Sequence, residues 1–399
     1  MGFPLVGQAV FATFEQRASP GLMRIWYAGL LLELLAGAAL RPARAQTPDQ
    51  PNGPLVVGAY GLGSFILPHT PSVRHLAVSH PTGVELNVQR QTNGAAPWHS
   101  WYRYPKVGLA LTYYDYHNPV LGRSYAASVY MNKAFWRTAR QEVSFRIGTG
   151  VGYFPVRFQA TNHKNTIVSS RLNATIQARV EYDVALTEHL GLLLGVGLNH
   201  YSNGATTKPN FGINLPTVLL GLNYHQQRPF VPLSTDPAPE PAELGRNFLD
   251  LSTSVGWKQR SDSDPAHYLV NSVTLAAGRR VNRKSNLVAG LEGFYDRSLI
   301  AQQRADERQA QSEDPSYVSG PLDDVKKAGA YVGHELLFGR LAFVSHLGFY
   351  LYNPYKSNKF YYERLGLKYH FTNRLFGNVD LKVHRGAADV IEWRLGMTL

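Results

Sequence analysis

A strict alternation of polar and apolar residues runs through residues 171–186, RLNATIQARVEYDVAL. The odd-numbered positions of this segment are mostly polar or charged, whereas the even-numbered positions are apolar. A period of two that persists over such a length predicts a β-strand longer than those of ordinary globular proteins. The same alternation recurs in residues 142–154, 374–385 and 389–399. Long strands with one apolar and one polar face are typical of a transmembrane β-barrel, in which the apolar face meets lipid.

The composition favours an all-β chain with an apolar exterior. Only 17% of the 399 residues are charged and 12% are aromatic, whereas a soluble domain usually has about 25% charged residues. So few charges and so many aromatic side chains exclude a disordered tail. The absence of cysteine excludes disulfides, thiolate nucleophiles and cysteine-based metal sites. Since the sequence has no P-loop, no HExxH motif and no other metal-ligand cluster, it predicts neither a metal ion nor a cofactor.

Residues 1–45 have the pattern of a secretory signal peptide. A basic start at Met23 is followed by an apolar stretch and by the small-x-small site Ala43-Arg44-Ala45. We therefore expect export, with Met23 as an alternative true start and residues 46–54 as a polar, Pro-rich leader. The apolar stretch is short for a membrane anchor, which needs about 20 residues. No comparable apolar stretch follows, so the sequence predicts no transmembrane helix after the signal peptide.

Sixteen candidate strands follow the leader, and an even number suits a closed bacterial barrel. They are predicted at residues 55–66, 81–92, 106–116, 123–137, 142–154, 171–186, 188–202, 213–226, 247–259, 267–280, 284–299, 325–339, 341–353, 360–371, 374–385 and 389–399. The first two patterns are weak, which leaves fourteen strands as an alternative. The predicted fold is a transmembrane antiparallel β-barrel of about 14–16 strands, with residues 55–399 forming one large barrel. The other architecture, a soluble β-sandwich, does not explain strands of this length.

Connection lengths predict the orientation, because such barrels have short periplasmic turns and longer external loops. The short connections predicted inside are residues 186–189, 281–283, 339–341 and 371–374. The longer connections predicted outside are residues 203–212, 300–324 and 354–359. Residues 227–246 are long and rich in proline yet fall on the periplasmic side. They are alternatively a boundary between two halves of the chain.

His200 and Ser202 lie two apart on one predicted strand, so their side chains share a face. An imidazole beside a hydroxyl is the combination of a general base and a nucleophile. Alternate residues from Leu190 to Leu198 on the same face are apolar, so the pair is expected to point outward, toward lipid. Asn214 falls on the outward face of the next strand. Polar groups on a lipid-facing surface are costly and usually functional, so these three residues predict a lipid substrate.

The sequence around this pair resembles the active-site motif of a known family. The motif reads His200-Tyr201-Ser202-Asn203-Gly204, followed by Pro209-Asn210, Gly212 and Asn214, with continued similarity through Leu219–Tyr224. It is similar to the motif of the outer-membrane lipid A 3-O-deacylases (PagL-like). Residues 97–200 and the C-terminal segment from Leu381 to Trp393 also resemble the longer acyloxyacyl hydrolase-like relatives from Bacteroidetes.

This resemblance implies an ester hydrolase of the Gram-negative outer membrane that removes an acyl chain from lipid A. It implies Ser202 as the nucleophile, His200 as its base and Asn214 as the third member of a triad. The family has glutamate at the position of Asn214. An asparagine can orient a neutral imidazole but cannot stabilise the imidazolium by charge, which puts turnover in question. The backbone amides of Asn203 and Gly204 are expected to bind the oxyanion, with a plain turn as the alternative.

Basic groups on the predicted external loops suit an anionic partner. Lys208 is expected to contact the phosphates of lipid A, with a solvated loop as the alternative. The net charge of +12 suits an anionic lipid surface rather than nucleic acid. His384 and Glu392 are predicted to point inward on the last two strands and are interpreted as an interior polar network.

Two other functions fit the same barrel. A barrel of fourteen to sixteen strands is wide enough for a water-filled pore, so a non-enzymatic porin or structural barrel is the alternative to the hydrolase. A phospholipase acting on glycerophospholipids is a variant of the hydrolase that the sequence does not separate from it. The sequence leaves the oligomeric state open.

Overall fold

The structure is a computed structural model that describes residues 53–233, 239–355 and 360–399. The predicted signal peptide, and all but the last two residues of the predicted leader, lie outside these ranges. Both therefore stay predictions.

Sixteen antiparallel strands make up most of the described chain, as the alternation predicts. Strands β1–β8 are Leu55–Ser64, Thr82–Gln91, Lys106–Asp115, Arg123–Arg137, Gln141–Tyr153, Leu172–Ala185, Leu190–Ser202 and Ile213–His225. Strands β9–β16 are Asn247–Gln259, His267–Asn282, Ser285–Asp296, Lys326–Phe338, Leu341–Tyr352, Tyr361–His370, Leu375–His384 and Ala387–Thr398. The all-β antiparallel barrel class is confirmed, and the count matches the higher of the two predicted numbers.

These strands close into two barrels of eight strands each. β1 pairs with β8, where Val57 lies opposite Tyr224, and β9 pairs with β16, where Val255 lies opposite Trp393. The expectation of one large barrel over residues 55–399 is therefore wrong. A period of two determines which face each residue presents, but it carries no information about which strand completes the circle.

The long connection between the barrels explains the one exception to the rule of connection lengths. β8 ends, and β9 begins, at the barrel end that carries the short turns. Residues 226–246 are thus the segment between two separately closed barrels rather than a turn within one. The alternative interpretation of residues 227–246 as a boundary between two halves is confirmed.

Charged side chains fill the interior of each barrel. In the first barrel Arg146 is fully buried, and its guanidinium lies 2.9 Å from both Glu85 and Glu181. In the second barrel Arg364 lies 2.7 Å from both Glu292 and Glu392. An eight-stranded barrel is just wide enough for side chains to fill it. Both lumens therefore hold a network of ion pairs.

The predicted interior position of His384 and Glu392 is confirmed. His384 is buried inside the second barrel, with its Nε2 atom 2.9 Å from the hydroxyl of Tyr350. Glu392 is fully buried and pairs with Arg364. Both residues thus belong to the filling of the second barrel.

Two α-helices occupy connections between strands in the ranges that the structure describes. Helix α1 (Pro97–Trp101) precedes β3, and helix α2 (Arg297–Glu313) follows β11. The sequence predicts a loop over residues 300–324, so α2 differs from the expectation. It forms because Asp296 caps its first turn, accepting the Ser298 N–H at 2.9 Å, and because the segment has no glycine or proline. In the described ranges, no helix combines the length and the hydropathy needed to cross a membrane.

Candidate functional site

His200 and Ser202 lie on the outer surface of the first barrel, at the end of β7. Alternate residues before them on the same face are 40–57% exposed: Leu194, Val196 and Leu198. Tyr201, which lies between the pair, is buried in the interior. Ser202 is the last residue of the strand. The pair therefore lies where an apolar outer surface gives way to a loop.

The sheet register brings Asn214 to the same place. His200 on β7 lies directly opposite Asn214 on β8, and such pairs have Cβ atoms about 5 Å apart. The Nδ1 atom of His200 lies 2.7 Å from the Oδ1 atom of Asn214. The Nε2 atom of His200 lies 3.0 Å from the hydroxyl of Ser202. The structure thus links the three residues that the sequence analysis selected.

A fourth side chain, His69, completes this arrangement, although no sequence pattern predicts it. The Nδ2 atom of Asn214 lies 3.1 Å from the Nδ1 atom of His69, whose Nε2 atom lies 2.9 Å from the carbonyl of Phe211. His69 reaches this position because the chain continues along β8 after β1 ends. There the Leu67 N–H donates to the Asn214 carbonyl at 3.0 Å. The position of His69 depends on the pairing of β1 with β8, which no local sequence pattern predicts.

One choice of tautomers joins these side chains in a row of hydrogen bonds with every donor pointing the same way, although the Nδ1 atom of His69 also lies 3.1 Å from the Leu67 carbonyl, to which it donates in the other tautomer. Ser202 donates to His200, His200 donates to Asn214, Asn214 donates to His69, and His69 donates to the Phe211 carbonyl. In this choice the Nδ2 group of Asn214 donates to His69, and its Oδ1 atom faces His200. The Nε2 atom of His200 then carries a lone pair toward the Ser202 hydroxyl, which is the arrangement of a general base and its nucleophile.

The residues expected to form the oxyanion hole have other surroundings. The Asn203 N–H already donates to the Oδ1 atom of Asn210 at 3.1 Å, and the Asn203 side chain is buried and donates to the Thr207 carbonyl at 2.9 Å. Gly204 has a positive φ of 61° and is packed so closely that a Cβ atom there would clash with Ile391 of the second barrel. These contacts organise the loop and engage the Asn203 N–H, and the oxyanion role of the Asn203 and Gly204 amides stays a prediction.

Lys208 connects the same loop to the second barrel. Its N–H donates to the Oε1 atom of Gln259 at 2.8 Å, and its Nζ atom donates to the carbonyl of Arg260 at 2.9 Å. The Gln259 N–H in turn donates to the carbonyl of Ala205 at 3.2 Å. Residues 203–212 are thus held between the two barrels. The contact of Lys208 with a substrate phosphate stays a prediction.

The barrels also meet at the end that carries the short turns. The hydroxyl of Tyr102, just after α1, donates to the Leu337 carbonyl at 2.9 Å. The rings of Tyr102 and Phe338 are 4.6 Å apart between centroids. Contacts at both ends fix the second barrel beside the first. The loop that follows Ser202 therefore packs against a barrel that the first barrel contacts at both ends.

Acidic and histidine side chains of the described residues do not gather into a metal site, since no group of three or more suitable ligands occurs among them.

Comparison with known protein families divides the chain in the same way as the structure. The family model described as "Lipid A 3-O-deacylase (PagL)" matches residues 82–223, which include β2 to β7 and most of β8. The model described as "Acyloxyacyl hydrolase, C-terminal domain" matches residues 247–399, which contain the whole second barrel. No curated protein sequence matches the chain.

Similarity to solved structures is remote. Neisserial surface protein A (NspA) is 11% identical, with 43% of this chain and 95% of that chain covered and a TM-score of 0.30. The siderophore receptor PirA from Pseudomonas aeruginosa is 9% identical, with 88% and 81% covered and a TM-score of 0.22. CdiB from Acinetobacter baumannii is 9% identical, with 86% and 60% covered and a TM-score of 0.18.

Proposed function

We propose, since the chain is a PagL-like member of the lipid A 3-O-deacylase family, that it removes an acyl chain from lipid A by ester hydrolysis. The observation that carries the proposal is the linked trio of Ser202, His200 and Asn214 on the outer face of a barrel. An ester in the adjoining leaflet can approach such a pair directly from the lipid side. A pair inside the filled lumen would be out of its reach.

The proposed reaction follows the logic of a serine hydrolase. Ser202 attacks the ester carbonyl of the acyl chain while His200 takes its proton at Nε2. The tetrahedral intermediate collapses, the sugar alcohol leaves with a proton returned by His200, and the acyl group stays on Ser202. A water molecule, activated by the same imidazole, then releases the fatty acid and restores the hydroxyl.

Asn214 is proposed to hold the imidazole by geometry rather than by charge. Its Oδ1 atom accepts the Nδ1–H group of His200 and so selects the tautomer with a free Nε2 lone pair. It cannot offset the positive charge of the imidazolium as a carboxylate would, so the transition state is stabilised less. The hydrogen bond to His69 adds to the orienting effect, because His69 with Nδ1 as the acceptor favours the amide orientation that presents Oδ1 to His200.

His69 is therefore proposed as a positioning residue, which leads to a testable expectation. His69→Ala should lower kcat by about 3- to 10-fold with KM nearly unchanged, the loss of about one hydrogen bond's stabilisation. His69→Gln, which offers an acceptor oxygen to Asn214, should recover part of the rate. The measurement is steady-state hydrolysis of a soluble ester by the purified full chain in detergent.

His75→Ala is the matched control for this experiment. His75 belongs to the same connection, and its ring bonds to the Lys164 carbonyl rather than to Asn214. If His75→Ala reduces kcat as much as His69→Ala does, the effect comes from the loop as a whole, and the positioning role of His69 is refuted.

A pore is the less favoured function, because its premise was a single wide barrel. Each lumen is instead occupied by buried ion pairs, such as Arg146 with Glu85 and Arg364 with Glu292. The family match supports a place in the outer membrane. Export by a signal peptide over residues 1–45, and external exposure of residues 203–212, belong to the proposal. They would place Ser202 at the leaflet that carries lipid A.

The proposed function is tested by expressing the chain in a Gram-negative host that lacks a lipid A deacylase. Mass spectrometry of lipid A should show the loss of one acyl chain in cells with the wild type and no loss with Ser202→Ala. Ser261→Ala, in a loop of the second barrel, is the matched control and should behave like the wild type. Unchanged lipid A in cells that contain folded wild-type protein would end the deacylase proposal.

A further inference from the structure

A second polar feature lies at the end of the second barrel where β10 begins and α2 follows β11. There the protein surface forms a cleft of about 740 Å³. We call it the arginine cleft and define it by Arg260, Arg297, Arg304 and Arg308, with Tyr268 and Tyr295 beside them. Four guanidinium groups around one cleft form a concentrated positive charge.

Most of this charge is not neutralised by the protein. Asp264, which also lines the cleft, pairs with Arg260 at 2.9 Å and accepts the Tyr268 hydroxyl at 2.9 Å. No ion pair involves Arg297, Arg304 or Arg308 in the part of the chain that the structure describes. These three side chains are exposed, so their donors are available to an external anion.

The spacing of the three arginines places them on one face of α2. They stand at positions i, i+7 and i+11, which fall on the same side of a helix. A guanidinium binds phosphate oxygens through two parallel N–H donors. A row of three along one face therefore suits a ligand with more than one phosphate group.

The cleft is continuous with the lipid-facing surface of the second barrel. On β11 the outward face carries Leu291 and Tyr295, which are 60% and 37% exposed, and Arg297 follows two positions later. Tyrosine and arginine at the edge of an apolar belt are typical of the headgroup level of a membrane. A ligand in the cleft would thus have its acyl chains beside the barrel and its charged groups on the helix.

The cleft also adjoins the loop of the candidate site. The carbonyl of Arg260 accepts the Nζ atom of Lys208, and Lys208 lies in the loop between Ser202 and Asn214. The two features are therefore at the same barrel end and are joined through the contact of Lys208 with Arg260.

From charge, spacing and position we propose that the arginine cleft binds the phosphate groups of a phosphorylated lipid A headgroup. The charge and spacing of the arginines support the binding of lipid phosphate. The choice of lipid A among phosphate-bearing lipids depends on the proposed function. The second barrel thus acts as a headgroup receptor beside the hydrolytic site.

The test measures binding with the full chain carrying Ser202→Ala, so that lipid A is not consumed. The protein, in nanodiscs, is titrated with lipid A that retains its phosphates and with dephosphorylated lipid A. We expect the phosphorylated form to bind at least 10-fold more tightly. Arg304→Ala/Arg308→Ala should abolish this preference, while Arg279→Ala/Arg283→Ala, with the same change in charge at the opposite end of the barrel, should retain it.

The proposal would be overturned if the two double variants bound phosphorylated lipid A equally well. It would also be overturned if the protein showed no preference for the phosphorylated form. Competition by inorganic phosphate at similar affinity would overturn it too, because a free anion would then be the ligand. Hydrolysis is scored separately with Ser202 intact. Binding through the cleft without deacylation refutes only the proposed function, and deacylation with binding unaffected by Arg304→Ala/Arg308→Ala refutes only the receptor role.

Discussion

Replacing His200 with alanine should lower kcat/KM for ester hydrolysis by about 10³- to 10⁴-fold, because Ser202 then has no base to take its proton. Ser202→Ala should cost a similar factor, since the nucleophile itself is removed. The double variant should be no worse than either single one, because two residues that act as a unit are not additive. The measurement is hydrolysis of a soluble ester by purified protein in detergent. The rates of the wild type, the two single variants and the double variant are compared.

His189→Ala supplies the control for this experiment. His189 stands just before β7 at the opposite barrel end, and its ring bonds to the His225 carbonyl. The variant His189→Ala should therefore hydrolyse the ester at the wild-type rate. Independent, multiplicative losses in the double variant would show that His200 and Ser202 do not act on the same step, and the hydrolase proposal would lose its central pair.

Removing Arg364 from the interior of the second barrel should lower its free energy of unfolding by about 3–5 kcal/mol, the usual cost of leaving buried charges without a partner. Its guanidinium pairs with Glu292, Asp380 and Glu392 at 2.7–3.0 Å, and Arg364 is almost fully buried. Arg364→Met would remove the ion-pair partner of Glu392 and would leave Glu292 and Asp380 to share Arg394, at 2.9 Å and 3.4 Å. The loss of unfolding free energy is measured by unfolding the detergent-solubilised protein in urea. The folded fraction is monitored by its heat-modifiable migration on gels.

A matched arginine and a compensating variant sharpen this test. Arg374→Met, in the exposed turn between β14 and β15, should have little effect. Adding Glu392→Gln to Arg364→Met should recover part of the lost stability, because the carboxylate that lost its ion-pair partner is then neutral. If Arg364→Met unfolds at the wild-type urea concentration, the ion network does not stabilise the barrel.

The sequence predicts strands and faces well because both depend on local alternation. The segment from Leu172 to Ala185 shows this, since its polar residues are buried and its apolar residues are more exposed, as the period of two requires. The outward position of His200 and Ser202 follows from the same rule. Their link to Asn214 follows from the short distance along the chain between β7 and β8.

What the sequence analysis missed depends on contacts between distant segments. Sixteen strands can close once or twice with the same alternation, and the difference lies in the pairing of β1 with β8. That pairing also brings His69 to Asn214 from 145 positions away. Helix α2 was hidden for another reason, since a long connection between strands is by default interpreted as a loop. Its cap at Asp296 is the local signal that could have indicated it.

Separate closure has a consequence for how such a chain can be divided. All strand edges are paired within each half, so a cut within residues 226–246 would expose no unsatisfied strand edge to water or lipid. The halves could then be made as two polypeptides, inserted independently and joined laterally through the contacts between the barrels, such as those of Lys208 and Tyr102. Gene fusion of two small outer-membrane proteins would yield this architecture in one step. The connecting segment would then keep the two barrels at a high local concentration, so that they would not have to meet by diffusion in the bilayer.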